Sequence, residues 1–402
     1  MANSIYLYSA QFLDYLLVLI VLPFTARMLG PEELGRIGLA GTFGIFILLI
    51  MEFGFPLMAT REIAKGKNNP AKVKLFLGQL FSFKLFLIPI ILILSFIATL
   101  VVPIFRYNPH YILIVVLGAI AEGLAPYWYF QGIEKMSSIA FSKTIFRSFG
   151  FLLILLFVRS PQDGWIVLMA NTISRLCIGF YLYRFMLNKI GSFQLGKLRF
   201  VREIWHRAKH SFFITILPVI YNNLSVITLS IIVNPMQLGF YYGASRIHRA
   251  LNTLYGPVGQ AFYPHLTATK NENSLRAKIL TKYFFWFMIS MGSLFCISVY
   301  YFAEPIVNIL LGESYIAAAD TLKIFGIVLP LTAVSHVLGR QWLMAHEHDE
   351  QYLIILMISS ILGFLSIFFM LGKFGIMAIP LSLIFFELIS IIMILIFLSR
   401  KK

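Results

Sequence analysis

Residues 75–102 read LFLGQLFSFKLFLIPIILILSFIATLVV, a continuous apolar run whose one charge is Lys84. A helix that crosses a bilayer needs roughly 20 largely apolar residues, and this stretch exceeds that length. The same ruler finds further runs at about 5–23, 37–58, 111–130, 144–159 and 164–184. After a polar, basic interval come runs at about 211–233, 238–262, 281–302, 321–343, 352–372 and 375–398. The run at 144–159 is the shortest. Composition agrees: 59% of residues are hydrophobic and 12% charged, against about 25% charged in a soluble chain. The reading is an all-α integral membrane protein of about twelve transmembrane helices.

The 33 Lys and Arg against 17 Asp and Glu would suggest a nucleic-acid partner in a soluble protein. Here the cations fill the gaps between apolar runs, and no DNA- or RNA-binding motif accompanies them, so nucleic acid is rejected. Their distribution orients the chain instead. Twenty-two lie in the connections on one side, including Arg61, Lys65, Lys135, Lys143, Arg147 and Arg184; six lie on the other, namely Arg27, Arg36, Arg106, Arg159, Lys323 and Lys373. Both termini are expected to be cytoplasmic. The outer loops, such as Arg159–Gly164 and Asn234–Gly239, are too short for a separate domain. The first run lacks the basic flank and cleavage site of a signal peptide and is read as part of the mature protein. Cys177 and Cys296, far apart in apolar runs, are read as inert small hydrophobes.

The longest connection separates two sets of six runs. The expected division is an N-terminal lobe at 1–184, a basic cytoplasmic linker at 185–209 and a C-terminal lobe at 210–402. An amphipathic helix around Leu198–Lys209 would lie on the anionic leaflet. An internal repeat supports the division. Leu29-Gly30-Pro31-Glu32-Glu33-Leu34-Gly35 follows run one, and Val233-Asn234-Pro235-Met236-Gln237-Leu238-Gly239 follows run seven, with Pro, Leu and Gly in register. Repeated halves are a common transporter architecture, with the binding site between them.

Ionisable groups inside spans cost several kcal/mol unless they face protein or water, so each is a functional candidate. In run eight Tyr242, Arg246, Arg249, Thr253, Gly256 and Gln260 recur at steps of three and four. Ile247, Leu251, Leu254, Val258 and Ala261 fall on another face. The polar stripe is expected to line a water-filled cavity; the alternative is that the arginines snorkel or pair structurally. Run seven adds Asn222 to a milder stripe around Pro218, which could equally serve as interhelical glue. Run one places Gln11 and Asp14 on one face.

Lys84 and Arg175 are further cavity candidates, and Arg175 shares a face with Asn171. Snorkelling is the alternative for Lys84, as it is the expectation for Glu52 and Arg340. Asp14, Glu122 and Glu387 are candidates for ion or proton coupling; Glu122 and Glu387 could instead partner an arginine. His346-Glu347-His348-Asp349-Glu350 has metal-like residues, but a solvated loop is expected and no metal site is assigned. Trp128, Trp165 and Trp342, near run ends, are read as interface anchors. No nucleophile elbow, phosphate-binding loop or zinc-protease motif is present. The chain is therefore read as a non-enzyme without cofactors, driven by an ion gradient of H⁺ or Na⁺, by membrane potential or by substrate consumption.

The run Leu124-Ala125-Pro126-Tyr127-Trp128-Tyr129-Phe130-Gln131-Gly132-Ile133-Glu134-Lys135-Met136 resembles the P-x-W-x-x-Q-G-x-E-x-M stretch of Wzx-type polysaccharide flippases. Leu29–Gly35, Leu238–Ile247, Gly259–Pro264 and Leu311-Gly312-Glu313-Ser314-Tyr315 resemble that family more loosely, shared with the superfamily that includes MATE exporters. The resemblance implies a V-shaped bundle of two six-helix lobes in the bacterial inner membrane. It implies transfer of undecaprenyl-diphosphate-linked O-antigen or capsule repeat units from the cytoplasmic to the periplasmic leaflet. The lipid-linked glycan, membrane lipid, a polysaccharide polymerase and a chain-length regulator are the implied partners. Arg246 and Arg249 would attract the diphosphate, while Tyr242, Asn222 and Gln260 would hydrogen-bond the glycan. Two alternatives remain. A MATE-like cation-coupled drug exporter would favour an acidic cavity, and a membrane polysaccharide polymerase would present a large outer loop.

Overall fold

In the computed structural model, residues 2–66, 69–196, 199–259, 262, 274–343, 346 and 348–400 are described. The side chains of 2–19, 57, 199–201, 209–211, 213–222, 224, 274–275, 277–278, 340 and 349 lie outside the description. Helices dominate, and among the described residues there is no strand. The first unit begins with α1 (Ala2–Glu52), α2 (Phe55–Gly66), α3 (Pro70–Val101), α4 (Pro103–Tyr107) and α5 (Pro109–Leu124). It continues with α6 (Tyr127–Gly132), α7 (Met136–Phe157), α8 (Gly164–Ile190) and the first part of α9 (Arg199–Ile232), whose end belongs to the second unit. Then follow α10 (Pro235–Thr253), α11 (Ser274–Leu310), α12 (Ala318–Ser335), a π-helical turn (His336–Leu343), α13 (Asp349–Phe374) and α14 (Ala378–Ser399). Among the described residues the twelve apolar runs are largely helical, some of them divided between two helices, and the chain is a multi-pass membrane protein. Among the described residues eight segments are long and apolar enough to span, the last of them, Glu350–Ser399, joining α13 and α14.

Backbone chemistry punctuates these helices. Run one and most of run two lie in α1, which breaks at Gly30 (φ 72°, ψ 171°) before Pro31, and run two ends in α2. Only glycine adopts that conformation readily, and proline suits the first turn of the segment that follows. The repeat partner shares the proline but not the strained glycine: Asn234 is extended (φ −73°, ψ 162°) and accepts a hydrogen bond from Gln237 N at 2.8 Å, and Pro235 opens α10. Leu34 and Leu238, and Gly35 and Gly239, are all buried. In the fourth run Pro126, lacking an N–H, holds Ala125 extended (φ −62°, ψ 130°) and divides the run into α5 and α6. The shortest predicted run is longer than read, because α7 starts at Met136 and reaches Phe157.

The chain divides into two compact units, Met1–Asn223 and Leu224–Lys402. Residues 185–209 lie within the first. There 191–196 is non-helical and crosses α3: Gly196 N donates to Ser82 Oγ at 2.8 Å, and Phe193 stacks on Phe81 at 5.3 Å. A Cβ on Gly78 would come within 2.0 Å of the Gln194 carbonyl oxygen, so α3 is bare where this segment passes. The start of α9 has Ile204 and Ala208 buried, while Arg202, Glu203 and His206 are exposed. Trp205 packs on Phe53 at 4.8 Å, and Arg207 pairs with Glu62 at 2.7 Å. Apolar contact and an ion pair hold one face of this helix on protein, and Arg202, Glu203 and His206 occupy its exposed face.

In the second unit Tyr255, Phe284, Met288, Leu329, Ala333 and Val337 form a core cluster. Tyr255 Oη donates to the Leu329 carbonyl at 3.0 Å, which satisfies the one polar group of a ring buried in that cluster.

Candidate functional site

In the first unit the turn from α5 to α6 gathers charges from several helices. Glu122, on α5, accepts from Arg175 Nε, on α8, at 3.1 Å. Glu122 is the more buried partner, with 14% of its side chain exposed against 31% for Arg175. Asn171, one turn away, donates to the Val167 carbonyl at 2.7 Å rather than joining the pair. Glu52, at the end of α1, lies in the fields of Lys84, Glu122 and Lys143. Tyr127 lies in those of Glu122, Arg147, Arg175 and Glu52, and Lys143 Nζ stands 4.6 Å from the centre of its ring. A low dielectric strengthens each such interaction and makes any unpaired charge costly.

Lys84 is 1% exposed. Its ammonium donates to the Gly123 carbonyl and sits 5.4 Å from the Phe55 ring centre and 5.7 Å from that of Trp128. A carbonyl and two π-faces thus replace its water. Its position excludes snorkelling. Trp128 is correspondingly buried, at 3% exposed, and is not an interface anchor; Trp165, at 42%, is exposed. The cation under its ring and the α5–α6 break draw Trp128 inward. Gln131 of the same motif accepts from Thr60 Oγ1, on α2, at 3.1 Å. The other quoted motif of this unit is also internal: buried Glu33 accepts from the Tyr111 hydroxyl and pairs with Arg36 at 3.1 Å.

In the second unit α10 carries the first four positions of the predicted stripe, Tyr242, Arg246, Arg249 and Thr253. Tyr242 is buried, Arg246 half-buried and Arg249 exposed. Arg246 Nη2 donates to Tyr242 Oη at 2.7 Å, and its guanidinium lies 4.9 Å from the ring centre. One helical turn of spacing permits this contact, and the ring holds the guanidinium's orientation. On the apolar side Ile247 is buried and Leu251 and Val258 pack on the core cluster, but Leu254 is 47% exposed where the helix breaks. Tyr315 of the Leu311–Tyr315 motif packs on Phe240 at 6.3 Å, and Gly259 lies against His336 and Gln341 of the π-helical turn. The sequence reading overlooked His248, buried on α10 and stacked on Phe325 at 4.7 Å. Its only sequence signal was a titratable group on the helix's other face.

Glu387 on α14 is 7% exposed. It accepts from Thr332 Oγ1 at 2.9 Å and from Ser335 Oγ, both on α12. Among the described residues it has no basic partner, so the two coupling candidates differ: Glu122 has an arginine and Glu387 has hydroxyls. Thr332 and Ser335 were signalled only as hydroxyls two and five residues after Pro330. The side chains of Asp14 and Asn222, and residue Gln260 altogether, lie outside the described residues.

A family model described as polysaccharide biosynthesis protein matches residues 1–270. The chain belongs to the polysaccharide biosynthesis protein family. It is 30% identical over 405 residues to a protein of Escherichia coli (strain K12) named "Putative O-antigen transporter", covering 100% of this chain and 97% of that one. A protein of Shigella dysenteriae with the same name is 25% identical, with 98% of each chain covered. Among solved structures the fold is similar to the lipid II flippase MurJ in an inward closed conformation, with TM-score 0.71 and 13% identity over 100% of this chain and 87% of that one. It is also similar to an inward-facing multidrug resistance MATE family transporter of the MOP superfamily, with TM-score 0.65 and 14% identity over 96% and 93%. This member of the polysaccharide biosynthesis protein family thus has an all-α transporter fold, and its named relatives are transporters rather than catalysts.

Proposed function

We propose that this chain flips undecaprenyl-diphosphate-linked oligosaccharide repeat units, of O-antigen or a similar surface polysaccharide, from the cytoplasmic to the periplasmic leaflet of the bacterial inner membrane. The observation that carries the reading is the full-length match, at 30% identity, to a protein named as an O-antigen transporter. Membership of the polysaccharide biosynthesis protein family agrees with it. The 22-to-6 split of connecting cations favours cytoplasmic termini, and the sequence repeat favours two lobes that rock in alternating access.

Within this reading Arg246 and Arg249 attract the diphosphate through charge-assisted hydrogen bonds. Tyr242 orients Arg246, while Asn222 and Gln260 contact the glycan. Arg175, its charge neutralised by Glu122, ties α8 to α5 beside the α5–α6 turn. Lys84, closed off from solvent, acts through the α5–α6 turn rather than on substrate. Glu387 is the preferred coupling group, since a buried carboxylate held by hydroxyls can take up H⁺ or Na⁺ without first breaking an ion pair; Glu122 and Asp14 are the other candidates. A polysaccharide polymerase and a chain-length regulator would act next on the product.

The test is complementation of a flippase-deleted strain, reading surface polysaccharide against membrane-inserted protein. Arg246→Ala combined with Arg249→Ala should abolish polysaccharide at normal insertion, and normal polysaccharide would sink the cationic-cavity assignment. The likeness to MATE transporters in fold supports a second reading, a cation-coupled drug exporter. Resistance to cationic drugs on expression, without complementation, would select it.

A further inference from the structure

On the first unit α7 and α8 enclose an open groove of about 380 Å³. Phe146, Phe180, Tyr181 and Phe185 line it, with Arg184 and Asn188 at one end. On α8 the lining positions recur at steps of three and four. They form a face separate from Ile178, Leu182 and Met186, which are buried against the unit. Phe180 is 74% exposed, so the groove opens at the surface of this unit, and the aromatic face of a spanning helix there suits lipid. Its polar end is cationic twice over. Arg184 is exposed and has no carboxylate partner among the described residues. Lys135, which precedes α7, holds its ammonium 6.0 Å from the Phe185 ring centre.

An aromatic trough that faces lipid and ends in two cations complements an amphiphile with a long hydrocarbon chain and a concentrated anionic head. We propose that this groove is a loading site, in which the polyprenyl chain of the diphosphate-linked substrate lies along Tyr181 and Phe146 while Arg184 and Lys135 hold the diphosphate. The inference rests on the lipid-linked glycan reading and adds a capture step before the head group enters the transport path. Two factors select this occupant over a bilayer phospholipid. A diphosphate matches two cations where a phosphodiester offers one negative charge. Branched, unsaturated isoprene units also pack on aromatic faces at little entropic cost, because the rings are already fixed by one another: Phe146 and Tyr181 lie 6.1 Å apart, and Tyr181 and Phe185 6.3 Å.

The full chain in lipid nanodiscs, treated with a benzophenone-bearing polyprenyl diphosphate, tests this. Light should crosslink the probe to residues 177–188, and unlabelled undecaprenyl diphosphate should compete while phosphatidylglycerol does not. Arg184→Gln with Lys135→Gln should weaken competition about tenfold or more, the scale of a lost charge-assisted hydrogen bond. Should that variant fail to insert, Phe180→Ser decides, since its side chain faces outward; it should cut labelling of the groove with insertion unchanged. Equal competition by phosphatidylglycerol would overturn the proposal in favour of an ordinary lipid-filled groove. Competable labelling confined to other helices would overturn the groove and leave the substrate reading standing. Labelling that undecaprenyl diphosphate does not reduce anywhere would overturn the substrate reading and this inference with it.

Discussion

Arg175 and Glu122 meet at 3.1 Å between α8 and α5, fifty-three residues apart in sequence, beside the turn that starts the most family-like motif of the chain. Removing one partner leaves a mostly buried charge, which is worse than removing both. Arg175→Ala or Glu122→Gln alone should lower thermal stability by about 2 kcal/mol. The double substitution Arg175→Gln with Glu122→Gln should recover most of that loss. Thermal unfolding in detergent, run as a double-mutant cycle, reads the difference; additive losses would mean that the pair is not coupled.

Lys84 gives the opposite expectation. Its ammonium has a carbonyl and two rings but no substrate-facing surface, so an apolar isostere can occupy its place. Lys84→Met should keep surface polysaccharide within about twofold of wild type, whereas Lys84→Ala should destabilise by about 2–4 kcal/mol through the cavity it leaves. Complementation combined with thermal unfolding checks both. A folded Lys84→Met protein without transport would return the residue to the substrate path.

Two glycines separate backbone strain from steric exclusion. A side chain at Gly30 meets nothing within 4 Å, so Gly30→Ala carries only the conformational penalty, about 1–3 kcal/mol. At Gly78 the backbone conformation is ordinary, but a Cβ collides with the Gln194 carbonyl. Gly78→Val should therefore lift residues 191–196 off α3 and expose them to limited proteolysis. Protection equal to wild type would show that the segment is held elsewhere.

Glu387 accepts two hydroxyl hydrogen bonds, an arrangement that a neutral amide oxygen can partly keep. Glu387→Gln should insert normally and fix the carboxyl site in its uncharged form, leaving transport rate flat against external pH and Na⁺. Glu387→Asp should keep the dependence at a reduced rate, because the shorter side chain strains the bonds to Thr332 and Ser335. Flipping assays in proteoliposomes across pH and Na⁺ series test this. An unaltered profile in Glu387→Gln would move the coupling role to Glu122 or Asp14.

The sequence by itself determined that the chain is a helical membrane protein and where its helices run. Hydrocarbon leaves backbone groups no partner but each other, so an apolar run of sufficient length is committed to helix before any tertiary contact forms. Gly30-Pro31, Asn234-Pro235 and Ala125-Pro126 mark breaks for the same local reason, since proline's missing N–H and fixed φ act wherever the residue stands. The family, too, was legible in the α5–α6 motif. Which charges would meet was not. Glu122 and Glu387 are both lone carboxylates in apolar runs, and no spacing along either helix distinguishes them. Only packing gave one an arginine from α8 and the other two hydroxyls from α12. Trp128 pointed to the interface, and Lys84 was open between cavity and snorkelling, because a one-dimensional pattern cannot register that a ring on one helix will cover an ammonium on another. Tertiary structure decided these pairings, because the cost of burying a charge depends on what lies within a few ångströms of it, and that is set by helices distant in sequence.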